Sequence, residues 1–508
     1  MRILTHPGYR DGSQQLGLVA LSFLAVLSAV LLSWVAGLPL IQVVLCAALL
    51  LAMVGPVVTN PALAADAFHP YSYFAVTNLM VFAIPALLVL VSDRNREYMA
   101  QYSPAVLLMA AAAGLYWLGY RSPWGVRLSR LVPLFVYRSS SDELIESRRL
   151  WIMLVLLYGV GWVGRFVGAA IGYMHAPVDL GKMWQYSALL DYLRSFATLS
   201  YVLILYILLK RRRQAPASVL WVALFVALEL AAGALDGGRS AIAVSLLYLV
   251  LAYSFAVRRL RWRTLVAIHI LGYVVLAPIL TVYRASYYEA VSSHRATDMS
   301  KVLQATGNSA DAITENRYSW AGLLEEVVFD RATGTIRGCL RVLDRVPRVY
   351  DYQMGNTFLP GLLTVAIPRL LWPGKPVLQP SREFAIRFWE FDVREQYGTS
   401  TGIGMPAEAY YNFSWLGLAI FPILGVGMRF LVERYYLYAK LESTFLVRLL
   451  FIILVYASIA NAFLYYFGGI LQNTLLYFIF LSLLHLRLPM IYRVLPGGGA
   501  LAAASRSA

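Results

Sequence analysis

Apolar residues in this chain do not alternate with polar ones, and they do not recur every third or fourth place. They run on unbroken for about 20 residues at a time, from the first fifty residues to the last forty. Wound as a helix, a run of that length crosses a hydrocarbon core of about 30 Å. Lipid offers no partner to backbone N–H and C=O groups, so helices are the expected spanning form. Such runs are predicted at roughly 16–36, 38–59, 72–92, 104–120, 149–173, 193–209, 217–235, 240–257, 264–283, 408–431, 446–467 and 469–486. The first run has the length of a retained anchor, is followed at once by a second, and lacks a clear cleavage site.

The basic residues beside these runs alternate. Segment 121–149 holds Arg121, Arg127, Arg130, Arg138, Arg148 and Arg149, residues 210–213 add Lys210 and three arginines, and Arg258, Arg259, Arg261 and Arg263 follow. The intervening connections are poor in charge: none near Gly37, Arg94 and Arg96, Lys182 alone in 175–191, and Arg239 alone at 236–239. By the positive-inside rule both termini lie in the cytoplasm and residues 284–407 lie outside. The expected fold class is therefore all-α: a polytopic membrane protein with about 12 transmembrane helices and one large periplasmic loop. Residues 1–283 hold helices 1–9, 284–407 the loop, 408–486 helices 10–12, and 487–508 a cytoplasmic tail.

Composition agrees with a membrane setting. Of 508 residues, 60% are hydrophobic and only 14% charged, too apolar for an ordinary soluble domain. The net charge of +16 sits beside the apolar runs, which argues for helix orientation and against nucleic acid. Two cysteines, Cys46 in an apolar run and Cys339 in the loop, suit neither a disulfide framework nor a thiolate metal site.

The loop, about 124 residues long, is the one segment able to hold an extramembrane unit, and structureless loops of that length are uncommon unless functional. Residues 319–346 predict an amphipathic helix interrupted near Gly334 and ended by Pro347. The stretch 358–372, with Pro360, Gly361 and Pro368, is read as re-entrant or interfacial backbone. Arg337, Arg341 and Arg345 recur every fourth residue, flanked by Arg331 and Arg348. Their planar donor forks match phosphate oxygens, so the stripe suits a pyrophosphate or another polyanion. The alternative is a helix resting on lipid headgroups with Ile336, Leu340 and Leu343 turned to the bilayer.

Three further features stand at outer helix ends. Asp236-Gly-Gly-Arg239-Ser240 is a tight turn presenting one arginine, and Tyr283-Arg284 repeats the theme, so the two can converge on one outward-facing cavity. The equally simple reading is a helix-helix turn with Arg239 snorkelling to the interface. Ile367 to Pro376 and Ser400 to Phe413 describe fixed irregular backbone leading into a helix opened by Glu408. That carboxylate can accept a proton from a sugar hydroxyl, or simply answer the helix dipole. The six histidines form no metal spacing, and His269 reads as a hydrogen-bonded interior residue. No metal or cofactor is expected.

With its plan of many spans and one great loop, Gly-Gly-Arg-Ser at 237–240, Ile-Pro-Arg-x-x-Trp-Pro-x-Lys-Pro at 367–376 and Pro-Ala-Glu-Ala-Tyr-Tyr-Asn-Phe at 406–413, the chain resembles the Wzy-type polymerases of bacterial surface polysaccharides. Some members carry an arginine and a glycine separated by ten residues, which Arg387 and Gly398 fit, although so many loop arginines make one such match expected by chance. The resemblance implies transfer of a growing glycan from undecaprenyl pyrophosphate to the non-reducing end of another lipid-linked repeat unit, at the periplasmic face. It implies Arg239, Arg284, Arg337, Arg341 and Arg345 on pyrophosphate or lipid, Arg369 and Lys375 shaping the glycan site, Glu408 as base, and Tyr410 and Tyr411 on sugars. A chain-length regulator (polysaccharide co-polymerase) and a flippase are the partners implied. An O-antigen ligase shares this chemistry and differs in acceptor. A polysaccharide transporter would show two comparable halves, which this chain lacks.

Overall fold

A computed structural model describes residues 37–91, 98–131, 134–136, 147–170, 180–212, 215–235, 239–290, 299–315, 318–359, 372, 380–390 and 402–433, and near the C-terminus 476, 479–480, 483–484 and 490–492. The expected spans at 16–36 and 446–467, most of 469–486, and most of the stretch 358–372 lie outside these residues.

Among the described residues, seven helices are long and apolar enough to cross a membrane. They are α1 (Leu40–Thr59), α2 (Pro70–Val91), α3 (Tyr102–Arg121, whose apolar stretch starts at Tyr98), α5 (Arg148–Ala170), α6 (Leu180–Arg211), α9 (Trp262–Tyr287) and α13 (Met405–Leu431). Between them lie the amphipathic α4 (Pro123–Leu131), the shorter apolar α7 (Ser218–Leu235) and α8 (Arg239–Ala256), and three helices of the long loop: α10 (Met299–Thr314), α11 (Gly334–Arg345) and α12 (Pro380–Trp389). The protein is thus a helical membrane protein. Two sequence expectations change in detail. Helix α6 begins at Leu180, so the connection taken as 175–191 is partly helical, and α13 is not one rod but three pieces.

The break in α13 has a local cause. Helix Met405–Phe413 stops where Ser414 turns to a positive φ of 55°, and a 3-10 turn, Ser414–Ala419, leads into Ile420–Leu431. Gly417 lies so close to the Ala409 backbone that an added Cβ would stand 2.3 Å from its carbonyl oxygen. Backbone broken in this way is tolerated at membrane depth only where protein covers it, and residues 406–412 are all buried.

Antiparallel neighbours fix which helix ends lie together. Tyr71 at the start of α2 meets Tyr120 at the end of α3, ring centroids 4.8 Å apart, and Arg259 after α8 reaches Asp66 just before α2 at 3.9 Å. Arg429 near the end of α13 lies over Tyr120. Arg121, Arg127, Arg258, Arg259 and Arg429 therefore share one end of the bundle, hereafter the basic end. At the opposite end stand Val91, Tyr98, the start of α13 and the loop helices.

One departure from all-α is a two-stranded antiparallel ribbon, β1 (Leu134–Val136) with β2 (Met490–Tyr492), in register Leu134↔Tyr492 and Val136↔Met490. Leu-Phe-Val and Met-Ile-Tyr carry the β-branched and aromatic side chains that strands favour. The pairing brings a segment near residue 135 together with one near residue 491.

Small residues set the closest contacts. A Cβ on Gly425 of α13 would stand 2.1 Å from the Tyr116 carbonyl of α3, whereas one on Gly427 would meet nothing within 4 Å. Gly425→Ala is therefore expected to force the helices apart and cost about 1–3 kcal/mol or more. Gly427→Ala should be neutral or stabilise by up to ~1 kcal/mol through helix propensity. Thermal unfolding of the two variants in detergent, compared with wild type, reads the difference in sign.

Candidate functional site

The interrupted amphipathic helix expected at 319–346 is present as Trp320–Glu325, a π turn through Arg331, and α11. Its apolar face is settled by packing: Ile336, Cys339, Leu340 and Leu343 are buried in one cluster with Ala83, Ala86, Tyr102, Ala105 and Val106 of α2 and α3. That replaces the bilayer-facing alternative, because the apolar face is covered by protein. Burial pushes the Cys339 thiol up to about 12, so at neutral pH it is a protonated packing group.

The arginine stripe on the other face of α11 meets α12. Arg341 Nη1 donates to the Phe388 carbonyl at 3.0 Å and Arg345 Nη1 to the Arg387 carbonyl at 2.8 Å, satisfying carbonyls at the end of α12 that have no helical partner. Arg345 is also neutralised by Glu390. Arg341 lies over the Trp389 ring at 4.3 Å and the Tyr98 ring at 5.3 Å, and Arg337 over the same indole at 5.4 Å. Among the described residues Arg341 forms no ion pair, its Nε–H is buried without an acceptor, and so is the Trp389 Nε1–H. Two guanidinium groups and an indole N–H thus share one partly covered patch at the end opposite the basic end.

Arg387 joins them from α12. It donates to the Tyr411 hydroxyl, pairs with Glu383 at 2.8 Å and lies over Tyr350 at 5.6 Å. Its partner in the ten-residue spacing, Gly398, lies outside the described residues.

Glu408, on the short helix Met405–Phe413, is fully buried. Its Oε1 accepts from Thr357 Oγ1 at 2.8 Å; Asn412 Nδ2 donates to Thr357 Oγ1 and to the Glu408 carbonyl, both at 2.8 Å. Gly355 N donates to Asn412 Oδ1, and backbone bonds from Gln353 to Tyr411 and from Met354 to Asn412 complete the junction. Gly355 at φ +92° supplies the turn. The carboxylate expected beside the outer surface is therefore sealed behind loop 351–359. Tyr411 is fully buried, edge-on to Phe388 at 5.2 Å, and its ring packs the core while its hydroxyl serves Arg387. Tyr410 is also buried, against Tyr352 and Trp415.

Arg239 is the first residue of α8, and Arg284 lies near the end of α9. Tyr283 Oη donates to the Ala234 carbonyl at 2.8 Å, and Gly233 abuts Ile242, so α9 near Tyr283 meets the end of α7, which in turn packs on the first turn of α8. Asp236, Gly237 and Gly238 lie outside the described residues, as do Arg369 and Lys375 and most of the 367–376 segment. Among the described residues no group of His, Cys, Asp and Glu is placed to hold a metal ion.

Sequence reading missed an ion pair inside the bundle. Arg165 of α5 grips Glu229 of α7 with two bonds, 2.7 and 2.8 Å, at side-chain exposures of 9% and 3%, with Trp162 5.3 Å beneath the guanidinium. The signal was available: each is a charge within an apolar run, where charges are expensive and find one another. Removing one partner should cost roughly 3–5 kcal/mol, since it strands the other charge. Arg165→Met or Glu229→Leu alone is expected to abolish recovery of monodisperse protein, and the double replacement to restore much of it, as measured by size-exclusion of the detergent extract.

Comparison with protein-family models, curated proteins and solved structures finds no match to this chain.

Proposed function

We propose that the chain is a membrane glycosyltransferase acting on lipid-linked oligosaccharide pyrophosphates. More particularly, we take it to be a polymerase of undecaprenyl-pyrophosphate-linked repeat units in O-antigen or exopolysaccharide synthesis. In this reading the basic end of the bundle faces the cytoplasm of a bacterial inner membrane, about twelve helices span it, and the loop helices stand in the periplasm. The observation that carries the proposal is the patch at Trp389. Arg341, without a carboxylate partner among the described residues, and two buried N–H donors without acceptors ask for an anion with several oxygens. A pyrophosphate supplies one.

The reaction breaks the bond from the donor's anomeric carbon to pyrophosphate oxygen and forms a bond from that carbon to an acceptor hydroxyl, whose proton must be taken up. Arg341 and Arg337 hold the leaving pyrophosphate; Arg345, neutralised by Glu390, contributes mainly by seating α12. Arg239 and Arg284, at the same end of the bundle, take the lipid phosphate or the second substrate, and Arg369 and Lys375 shape the glycan path. Glu408 acts as base only after loop 351–359 has moved, because Thr357 and its neighbours now cover it. Tyr410 and Tyr411 support the site from within the core.

Geometry and charge separate cleanly at these residues. Arg341→Lys keeps the charge and loses the fork; at roughly 1.5–3 kcal/mol per charged hydrogen bond, turnover should fall one to two orders of magnitude. Trp389→Phe, which deletes the N–H and keeps a ring, should fall less. Wild-type polymer yield from both, at equal membrane protein level, removes the patch from the mechanism.

Glu408→Gln keeps the acceptor for Thr357 and abolishes basicity. As the base, it should lose on the order of 10²–10⁴ in rate; as a packing group it should be nearly silent. The reading as a whole is tested by deleting the gene and displaying surface glycan on a gel. A polymerase leaves single repeat units and no ladder. Complete loss of capped lipid indicates a ligase instead, and accumulation of lipid-linked units inside the cell a flippase.

A further inference from the structure

Helix α4 is held by one face only. Gly125 and Ser129 are buried against α13, where a Cβ on Gly125 would stand 2.6 Å from Arg429 Cβ and 2.9 Å from the Val426 carbonyl, so the helix cannot roll about its axis. The chain breaks from α3 at Ser122, which takes an extended conformation before Pro123 opens α4. With its roll fixed, α4 presents two further stripes. Trp124, Leu128 and Leu131, spaced i, i+4 and i+7, are 59%, 41% and 78% exposed. Beside them Arg127 and Arg130, at i and i+3, are exposed, and the Arg127 guanidinium lies 5.2 Å over the Trp124 ring.

We propose that α4 is an interfacial docking site for anionic phospholipid headgroups of the leaflet at the basic end. An apolar stripe with a tryptophan beside an arginine stripe is the pattern of a helix lying at the boundary between acyl chains and headgroups. Position and charge select the occupant. The helix follows directly from the end of a spanning helix, where the headgroup layer begins. Both of its charged side chains, Arg127 and Arg130, are positive, matching headgroup phosphates, and its apolar stripe of three side chains is too short to cross a leaflet. A zwitterionic headgroup satisfies the apolar stripe alone, whereas phosphatidylglycerol satisfies both stripes. The site is independent of the pyrophosphate patch, which stands at the other end of the bundle.

The test uses the full chain reconstituted in vesicles of phosphatidylcholine with and without phosphatidylglycerol, carrying a nitroxide at Leu131→Cys or, separately, at Arg130→Cys. The native Cys46 and Cys339 are buried and do not compete for label. The expected result is that the label at 131 is relaxed by oxygen and shielded from a water-soluble paramagnetic agent, while the label at 130 shows the reverse. Phosphatidylglycerol should deepen the label at 131, and the double replacement Arg127→Gln with Arg130→Gln should raise the amount of phosphatidylglycerol needed by about fivefold for each arginine removed. Replacement of both by lysine should restore the wild-type titration, since a headgroup layer does not require the fork. A label at 131 open to the water-soluble agent in both vesicles would overturn the proposal and leave the face to a protein partner. A phosphatidylglycerol titration unchanged by the glutamine pair would overturn it as well.

Discussion

Helices α3 and α13 come together until the backbone of one occupies the space a side chain on the other would need. Gly119 meets the Pro422 carbonyl and Gly425 the Tyr116 carbonyl, and Gly125 carries the same contact past the end of α3 into α4. In lipid, where apolar side chains gain nothing by leaving one solvent for another like it, such backbone approach is a main source of helix association. Much else hangs from it. The upper part of α13 is the short buried helix that bears Glu408 and Tyr411, and the opposite end of α3 is the floor on which α11 rests. Loosening this single contact would displace the loop helices, the arginine patch and α4 together.

The long loop is joined to the bundle by packing as well as by chain. Ile336 and Leu340 carry α11 onto α2 and α3, Asn412 and Thr357 tie loop 351–359 to α13, and Arg341 and Arg345 anchor α12 by its terminal carbonyls. The arginines therefore have a double charge of duties: they cap a helix and they create a positive field. Capping consumes one or two of the five donors of each guanidinium, so the two duties do not exclude each other.

How far the sequence could be read follows from what each signal depends on. The apolar runs at 38–59, 72–92, 104–120 and 149–173 correspond to α1, α2, α3 and α5, because length and hydropathy alone decide whether a segment can span. The fourfold spacing of Arg337, Arg341 and Arg345 correctly put them on one face, yet their partners came from a helix at 380–389 that periodicity had not marked. Burial of Glu408 was likewise invisible, since it arises from Thr357, a residue 51 positions away. The break at Ser414 carried no proline or glycine at the turn itself; it lies in the positive φ of Ser414, and Gly417, without a side chain, lets the chain fold back beside Ala409. Arg165 and Glu229 are legible only as charges within apolar runs; that they pair depends on α5 packing beside α7, which no periodicity within either helix carries.

The ribbon between β1 and β2 joins a segment near residue 135 to one near 491. A chain made from its N-terminus completes β1 long before β2 has been synthesised, so the first strand must wait with an open edge until its partner emerges. Closure of the ribbon is thus a late event in synthesis, a clasp that forms only after the described helices between the two strands have been made.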